Sequence, residues 1–296
     1  MSQTTTETPI TTRTLDAPGA TITYDVRRNA TSPLRPLMLI GSPMGASGFP
    51  TLAGHFADRT VVTYDPRGVE RSTKADPSAL STPDQHADDL HRIIGAAGIG
   101  PVDLFASSGG AVNALALVAK HPEDVRTLVA HEPPAASALP DRDAVLAACR
   151  DVRDAYTKNG FGAGMARFIA LVSFAGPMSS DYADRPAPDP AMFGLPTADD
   201  GNRTDPLLWQ NIVTSTGYEH DIDALRAAST HVVLGVSEDS PTTIAGRAAA
   251  AIAECLGQKP VKFAGGHDGF IGGEYGGMGK PDAFAAKLRE VLDSDS

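Results

Sequence analysis

Six short apolar runs constrain this chain more than any other feature: residues 36–40, 60–64, 102–106, 125–130, 231–236 and 261–264. They are rich in Val, Leu and Ile and lack the polar alternation of a half-solvated strand, so they read as strands buried on both faces of a parallel sheet. Helical segments lie between them. The best marked begins at Thr82-Pro83-Asp84-Gln85, with Thr82 as N-cap, Pro83 at the first helical position and Gln85 placed to close a capping box. Leu90, Ile93, Ile94 and Ala97 then fall on one face. Strand and helix in alternation imply right-handed crossovers and helices on both sides of the sheet. Two further β-prone runs, Thr11 to Leu15 and Thr21 to Arg27, flank Pro18-Gly19 and read as an antiparallel pair. The expected sheet is therefore eight-stranded and mostly parallel.

The alternation breaks after His131-Glu132-Pro133-Pro134. Residues 133–218 carry helical segments, Asp141 to Tyr156 and Gly162 to Phe174, and a stretch rich in Pro, Gly, Asp and Met with no strand signal. They read as an insertion that covers the sheet edge, interrupting a core formed by residues 1–132 and 219–296. After it, a helix opened by Ser240-Pro241 and closed by Gly257 is expected, then a last helix from Pro281 to Leu292.

One turn stands out for its chemistry. The strand ending at Ala106 meets Ser107-Ser108-Gly109-Gly110 before an alanine-rich helix. Small residues on either side of Ser108, at Ala106 and Gly110, let strand and helix backbones crowd at a sharp turn that pushes the serine out of the sheet. Choosing Ser107 instead would put Phe105 where a small residue is needed. Two other loops follow strands at the same expected edge, where open α/β sheets bind ligands: Gly41-Ser42-Pro43-Met44-Gly45 and Gly265-Gly266-His267-Asp268-Gly269.

Charge narrows the partners. With 25 Lys and Arg against 36 Asp and Glu, the formal charge of -11 disfavours nucleic acid and anionic membrane surfaces. The longest apolar stretch, around Phe168 to Ala175, falls well short of the ~20 residues that span a bilayer. The polar, Thr-rich start has no basic or apolar signal region and is expected to be frayed, which makes the cytoplasm the expected location. Cys149 and Cys255 lack the spacing of a zinc site or redox pair and read as free thiols. No cofactor or metal is implied, and no signal speaks to oligomeric state.

In order, Gly41-Ser42-Pro43, Asp65-Pro66-Arg67-Gly68 with Arg71-Ser72, the turn at Ser108 and the late Gly265-Gly266-His267 resemble the α/β-hydrolase family over nearly the whole chain outside the insertion. Two positions depart from the family pattern: Ala106 replaces the first elbow glycine, and Ile40 replaces the histidine that often precedes the oxyanion loop. The resemblance implies an α/β-hydrolase fold with a lid after the sixth strand, and Ser108 as nucleophile activated by His267. The backbone N–H groups of Ser42 and Gly109 would then receive the oxyanion. The acid that orients His267 stays open among three carboxylates. Glu238 and Asp239 follow the penultimate strand, the family's common location, and Glu132 ends the sixth strand, a minority location.

Met44, Trp209 and Phe270 are candidates for an apolar substrate pocket, with Phe49, Met178, Met192 and Phe193 behind them. Arg67 and Arg71 could hold an anionic substrate, although the family uses this segment mainly as a brace. The reading implied is a serine hydrolase acting on a small, fairly apolar ester or lactone. The same residues would serve C–C or amide cleavage or perhydrolysis, and the fold alone would serve a ligand receptor with little turnover.

Overall fold

A computed structural model describes residues 9–294 of the 296; the polar leader lies outside the described residues. The N-terminal hairpin joins β1 (Ile10–Ala17) to β2 (Ala20–Arg27) with Ala17 opposite Ala20, so that Pro18-Gly19 makes the turn and Gly19 takes the left-handed φ of 72°. The buried strands follow: β3 (Leu37–Ile40), β4 (Val61–Tyr64), a two-residue β5 (Thr73–Lys74), β6 (Val102–Ser107), β7 (Val125–His131), β8 (His231–Ser237) and β9 (Val261–Phe263). Their spatial order is β1-β2-β4-β3-β6-β7-β8-β9, antiparallel up to β4 and parallel from there on. The expected count of eight missed β5, which pairs beside β2. Two residues are too few to leave a periodic signal.

Alternation along each strand separates two cores. Met38, Ile40, Leu104, Ala106, Leu128, Ala130 and Leu234 face one side and pack with Leu90, Ile93, Ala111 and Leu115. These belong to α2 (Pro83–Ala97) and α3 (Gly109–Lys120); the preceding α1 (Pro50–Gly54) serves the other side. Leu37, Leu39, Phe105, Val129, Val233 and Phe263 face that other side, against Leu52 of α1 and the apolar stripe of the last helix, Phe284, Leu288 and Val291. Rings meet there: Phe105 lies edge-on to Phe270 and to Phe284, at 5.5 Å in each case. Burying each such side chain contributes ~1.5–3 kcal/mol. The capping box at Thr82 and Gln85 is formed, and Gly98 closes α2 in the left-handed region.

Between β7 and β8 the chain forms α4 (Arg142–Asn159), α5 (Phe161–Val172), a π-turn at Pro206–Asn211, the short α6 (Ile212–Thr214) and α7 (Ile222–Ala227). Val145, Cys149, Val152, Tyr156, Leu171 and Leu208 make a third cluster that extends to Ile244 and Ala248 of α8 (Ile244–Cys255). That helix starts later than Ser240-Pro241 suggested. Thr243 is its cap, accepting from the Gly246 N–H, because residues 240–243 first turn beneath the site. The final helix, α9, spans Pro281–Asp293. No helix among the described residues is long and apolar enough to cross a membrane.

Candidate active site

The carboxyl ends of β3, β6, β7, β8 and β9 lie side by side, and five loops leave from them. Ser108 sits where β6 turns into α3, with φ 58° and ψ -131°, a conformation that a non-glycine residue holds only when its surroundings force it. The force is close packing. A Cβ on Gly110 would lie 2.8 Å from the Gly41 Cα, and one on Gly109 would lie 2.5 Å from the Ser42 carbonyl oxygen. Ala106 satisfies the remaining position of the elbow with 0% exposure. Ser108 thereby stands at the N-terminus of α3, whose amide N–H groups favour negative charge.

Glu132 ends β7 and is the second strained residue at this edge, with φ 46°. The turn swings its side chain into the interior, where it has 0% exposure. One carboxylate oxygen accepts from the Ser237 N–H at 2.9 Å and the Ser240 hydroxyl at 3.2 Å; the other meets His267 Nδ1 at 2.6 Å. Burial alone would raise this carboxyl group's pKa. The hydrogen bonds from His267 and Ser237 and the nearby imidazoles outweigh it and hold the pKa down to about 2. Nδ1 of His267 is thus committed as a donor, which leaves Nε2 as the basic nitrogen.

Of the three carboxylates left open by the sequence, Glu132 is the one in contact with His267. Glu238 is exposed, and Asp239 is exposed and paired with Lys280 Nζ at 3.3 Å. The physical reason is direction: past the end of β8 the chain sends Ser237 and Ser240 inward to Glu132 and turns the two acids between them to solvent.

Behind this pair lies a chain of hydrogen bonds that the sequence did not announce. The Ser107 hydroxyl meets His131 Nδ1 at 3.1 Å, His131 Nε2 meets the Ser237 hydroxyl at 3.0 Å, and Ser237 donates to the Gly266 carbonyl at 2.8 Å. Because Ser237 donates onward, His131 Nε2 must carry a proton; burial pushes the ring's pKa down to about 3, so the ring is neutral and Nδ1 accepts from Ser107. The chain ends on the residue before His267 and so ties that loop to β7. Its one sequence signal was a polar pair, His131-Glu132, closing an apolar strand.

Ser108, His267, Ser42 and Gly109 all line one cavity of about 290 Å³. Among the described residues Ser108 and His267 make no hydrogen bond to each other; what they share is this cavity. The walls are apolar and come mainly from the segment between β7 and β8: Phe168, Leu171, Val172, Leu207 and Ile212, with Ile244 from α8. Met44, Trp209 and Phe270, expected in this wall, are not part of it. Met44 and Phe270 pack into the core on the α9 side, and Phe49 stacks on Phe270 at 5.6 Å. Trp209 turns its Nε1 to the Ser78 carbonyl, 2.8 Å away. Met178 is buried in the third cluster, while Met192 and Phe193 face solvent.

Arg67 and Arg71 are braces. Arg67 makes two 2.7 Å bonds to the buried Asp89, and Arg71 binds Asp65 at 2.6 Å and Asp25 at 2.8 Å. Among the described residues, one group of metal-type donors, His91, His121 and Glu123, comes within 4.8 Å of one another. It sits beside the start of β7, at the other end of the strand from Glu132.

Residues 37–186 match the sequence profile described as alpha/beta hydrolase fold. A protein of Bacillus subtilis (strain 168) named as an uncharacterized hydrolase, YraK, is 40% identical over 123 residues; the match covers 40% of this chain and 44% of that protein. Among solved structures, a thermophilic esterase from Thermogutta terrifontis superposes with a TM-score of 0.63 at 20% identity, covering 97% of this chain and 99% of that one. The proline iminopeptidase of Mycobacterium smegmatis also gives 0.63, at 18% identity, with 96% and 98% covered. At such identities the likeness is one of fold.

Proposed function

The chain belongs to the alpha/beta hydrolase fold family, and on that premise we propose that it is a serine hydrolase that cleaves a small, fairly apolar ester or lactone through an acyl-enzyme. The observation that carries this reading is the strained Ser108 opening onto the same cavity as His267, whose Nδ1 is held by the buried Glu132. Ser108 Oγ attacks the ester carbonyl as His267 Nε2 takes its proton, and Glu132 stabilises the imidazolium that forms. The N–H groups of Ser42 and Gly109 receive the oxyanion. The tetrahedral species collapses as His267 protonates the departing alcohol oxygen. Water, deprotonated by the same nitrogen, then attacks the acyl group, and Ser108 is released with the acid product. No cofactor enters these steps.

The cavity's volume and apolar walls support a small substrate with a short hydrocarbon part. The structural relatives include an esterase and, at the same TM-score, an iminopeptidase, and ester is the bond proposed here. Residues 133–218 are proposed as a lid over a core of residues 1–132 and 219–296, because they supply most of the cavity wall. The small molecule is the proposed partner, and the cytoplasm the proposed setting.

A fluorophosphonate probe tests the reading. Treated with it, the folded protein is expected to carry one adduct, located by peptide mass spectrometry on Ser108 and absent in Ser108→Ala. Folded protein that takes no adduct overturns the serine-hydrolase reading.

A further inference from the structure

We propose that the side-chain hydroxyl of Ser42 is a third donor to the oxyanion, and that Asn211, carried by the segment between β7 and β8, is the residue that positions it. The inference rests on the serine-hydrolase reading. Ser42 follows β3, is 4% exposed and lines the cavity beside Ser108 and Gly109. Asn211 Nδ2 donates to Ser42 Oγ at 2.8 Å. A hydroxyl has one proton and two lone pairs, and this bond occupies a lone pair. The proton is left over, and among the described residues it meets no acceptor. A buried donor without a partner is costly, so an acceptor arriving in the cavity is drawn to it.

The residue also lies against the elbow, lining the cavity that Ser108 and Gly109 line. A Cβ on Gly109 would sit 2.5 Å from the Ser42 carbonyl oxygen and 3.4 Å from Ser215 Oγ, so Ser42 lies directly against the residue whose N–H is the other oxyanion donor. Asn211 is itself held in place. Asp205 caps its turn by accepting from the Leu207 and Leu208 N–H groups at 2.9 and 2.8 Å. Just before Asn211, Trp209 Nε1 binds the Ser78 carbonyl at 2.8 Å and Gln210 Oε1 accepts from Ser81 N–H at 3.3 Å and Lys74 Nζ at 3.2 Å. Ser215, one turn further on, donates its N–H to the Asn211 carbonyl at 3.0 Å and lines the same cavity. The inserted segment thus does more than wall the pocket: its Asn211 fixes the acceptor side of Ser42 and frees the proton for the oxyanion.

Three variants and two readouts test this. With an ester substrate, Ser42→Ala is expected to lower kcat roughly 10²-fold and to leave KM within about twofold, since the bond is strong only once charge has developed on the carbonyl oxygen. An alkylboronic acid, whose adduct with Ser108 places an oxygen in the same hole, is expected to bind weaker by a similar factor. Asn211→Asp replaces a donor with an acceptor that captures the hydroxyl proton, so kcat falls comparably. Asn211→Ala, which leaves the proton free, costs less than Asn211→Asp, the reverse of the order expected for a packing role. In the Ser42→Ala background Asn211→Asp should cause no further loss. A Ser42→Ala enzyme with kcat within twofold of wild type, or losses at Ser42 and Asn211 that multiply, overturns the proposal; if Ser42→Ala does not fold, the order of the two Asn211 variants decides it. Ser108→Ala separates the two readings: if it abolishes turnover while Ser42→Ala does not, the serine-hydrolase reading stands and this one falls.

Discussion

Replacing Glu132 by Gln removes one charge and almost no volume, and the structure says where the loss should appear. The carboxylate accepts three hydrogen bonds, from Ser237 N–H, the Ser240 hydroxyl and His267 Nδ1–H. A glutamine keeps one oxygen. If that oxygen stays on Ser237 and Ser240, the new NH2 faces His267 Nδ1, two donors oppose each other, and the ring escapes by moving its proton to Nε2. That tautomer cannot take a proton from Ser108. In a comparable change at another serine hydrolase the loss is about 10⁴ in kcat, or about 5.4 kcal/mol of transition-state stabilisation. If the amide turns the other way, the buried Ser237 N–H loses its acceptor, at a cost of ~1–3 kcal/mol in stability. The expected outcome is therefore a fold-intact Glu132→Gln protein whose kcat for a short-chain p-nitrophenyl ester falls by three to four orders of magnitude (about 10³–10⁴). Glu238→Gln and Asp239→Asn should stay near wild type, because both side chains are exposed. A Glu132→Gln enzyme within tenfold of wild type, or an equal collapse in either control, refutes the assignment.

Three buried histidines carry lowered pKa values: His86 and His131 at about 3 and His220 at about 4, each mainly through burial. Their pKa values are below that of an unfolded histidine, near 6.5, so the unfolded chain binds the extra protons and stability is full above pH ~6.5 and lost as pH falls toward the folded values. Each contributes up to about 1.4 kcal/mol per pH unit, or about 4 for the three, once the pH is below ~5.5. Urea unfolding at pH 7, 6, 5.5 and 5 measures the slope, and His220→Phe, which removes two unpartnered ring nitrogens, should flatten it by about a third; a pH-independent midpoint would contradict the burial argument. Leu171 lines both the active-site cavity and a second cavity of about 180 Å³ beside Asp151 and Arg167. Leu171→Ala should join them, shift the kcat/KM optimum over a series of acyl chain lengths toward longer chains, and cost ~2–5 kcal/mol of stability; an unchanged chain-length profile in folded protein would show that the acyl group points elsewhere.

What the sequence determined by itself was local. Short buried runs declare a parallel sheet, because only strands covered on both faces can do without polar alternation. The sharp turn at Ser108 was legible because it needs small residues at Ala106 and Gly110, and the position of His267 because it follows the last strand in a glycine-rich loop. Which carboxylate meets His267 was not legible. Glu132 and Glu238 leave the ends of neighbouring parallel strands, and which of them turns inward depends on a backbone twist at Glu132, φ 46°, that no residue type announces. The same limit applied to the pocket. An apolar side chain looks alike whether it fills a core or walls a cavity, so Met44 and Phe270 were indistinguishable from Leu171 and Ile212 until the two faces of the sheet were assigned. Asn211 lies in an irregular turn without period and contacts Ser42 across 169 residues of sequence. Contacts at that range are set by how the segment between β7 and β8 packs on the sheet, and only the tertiary structure decides them.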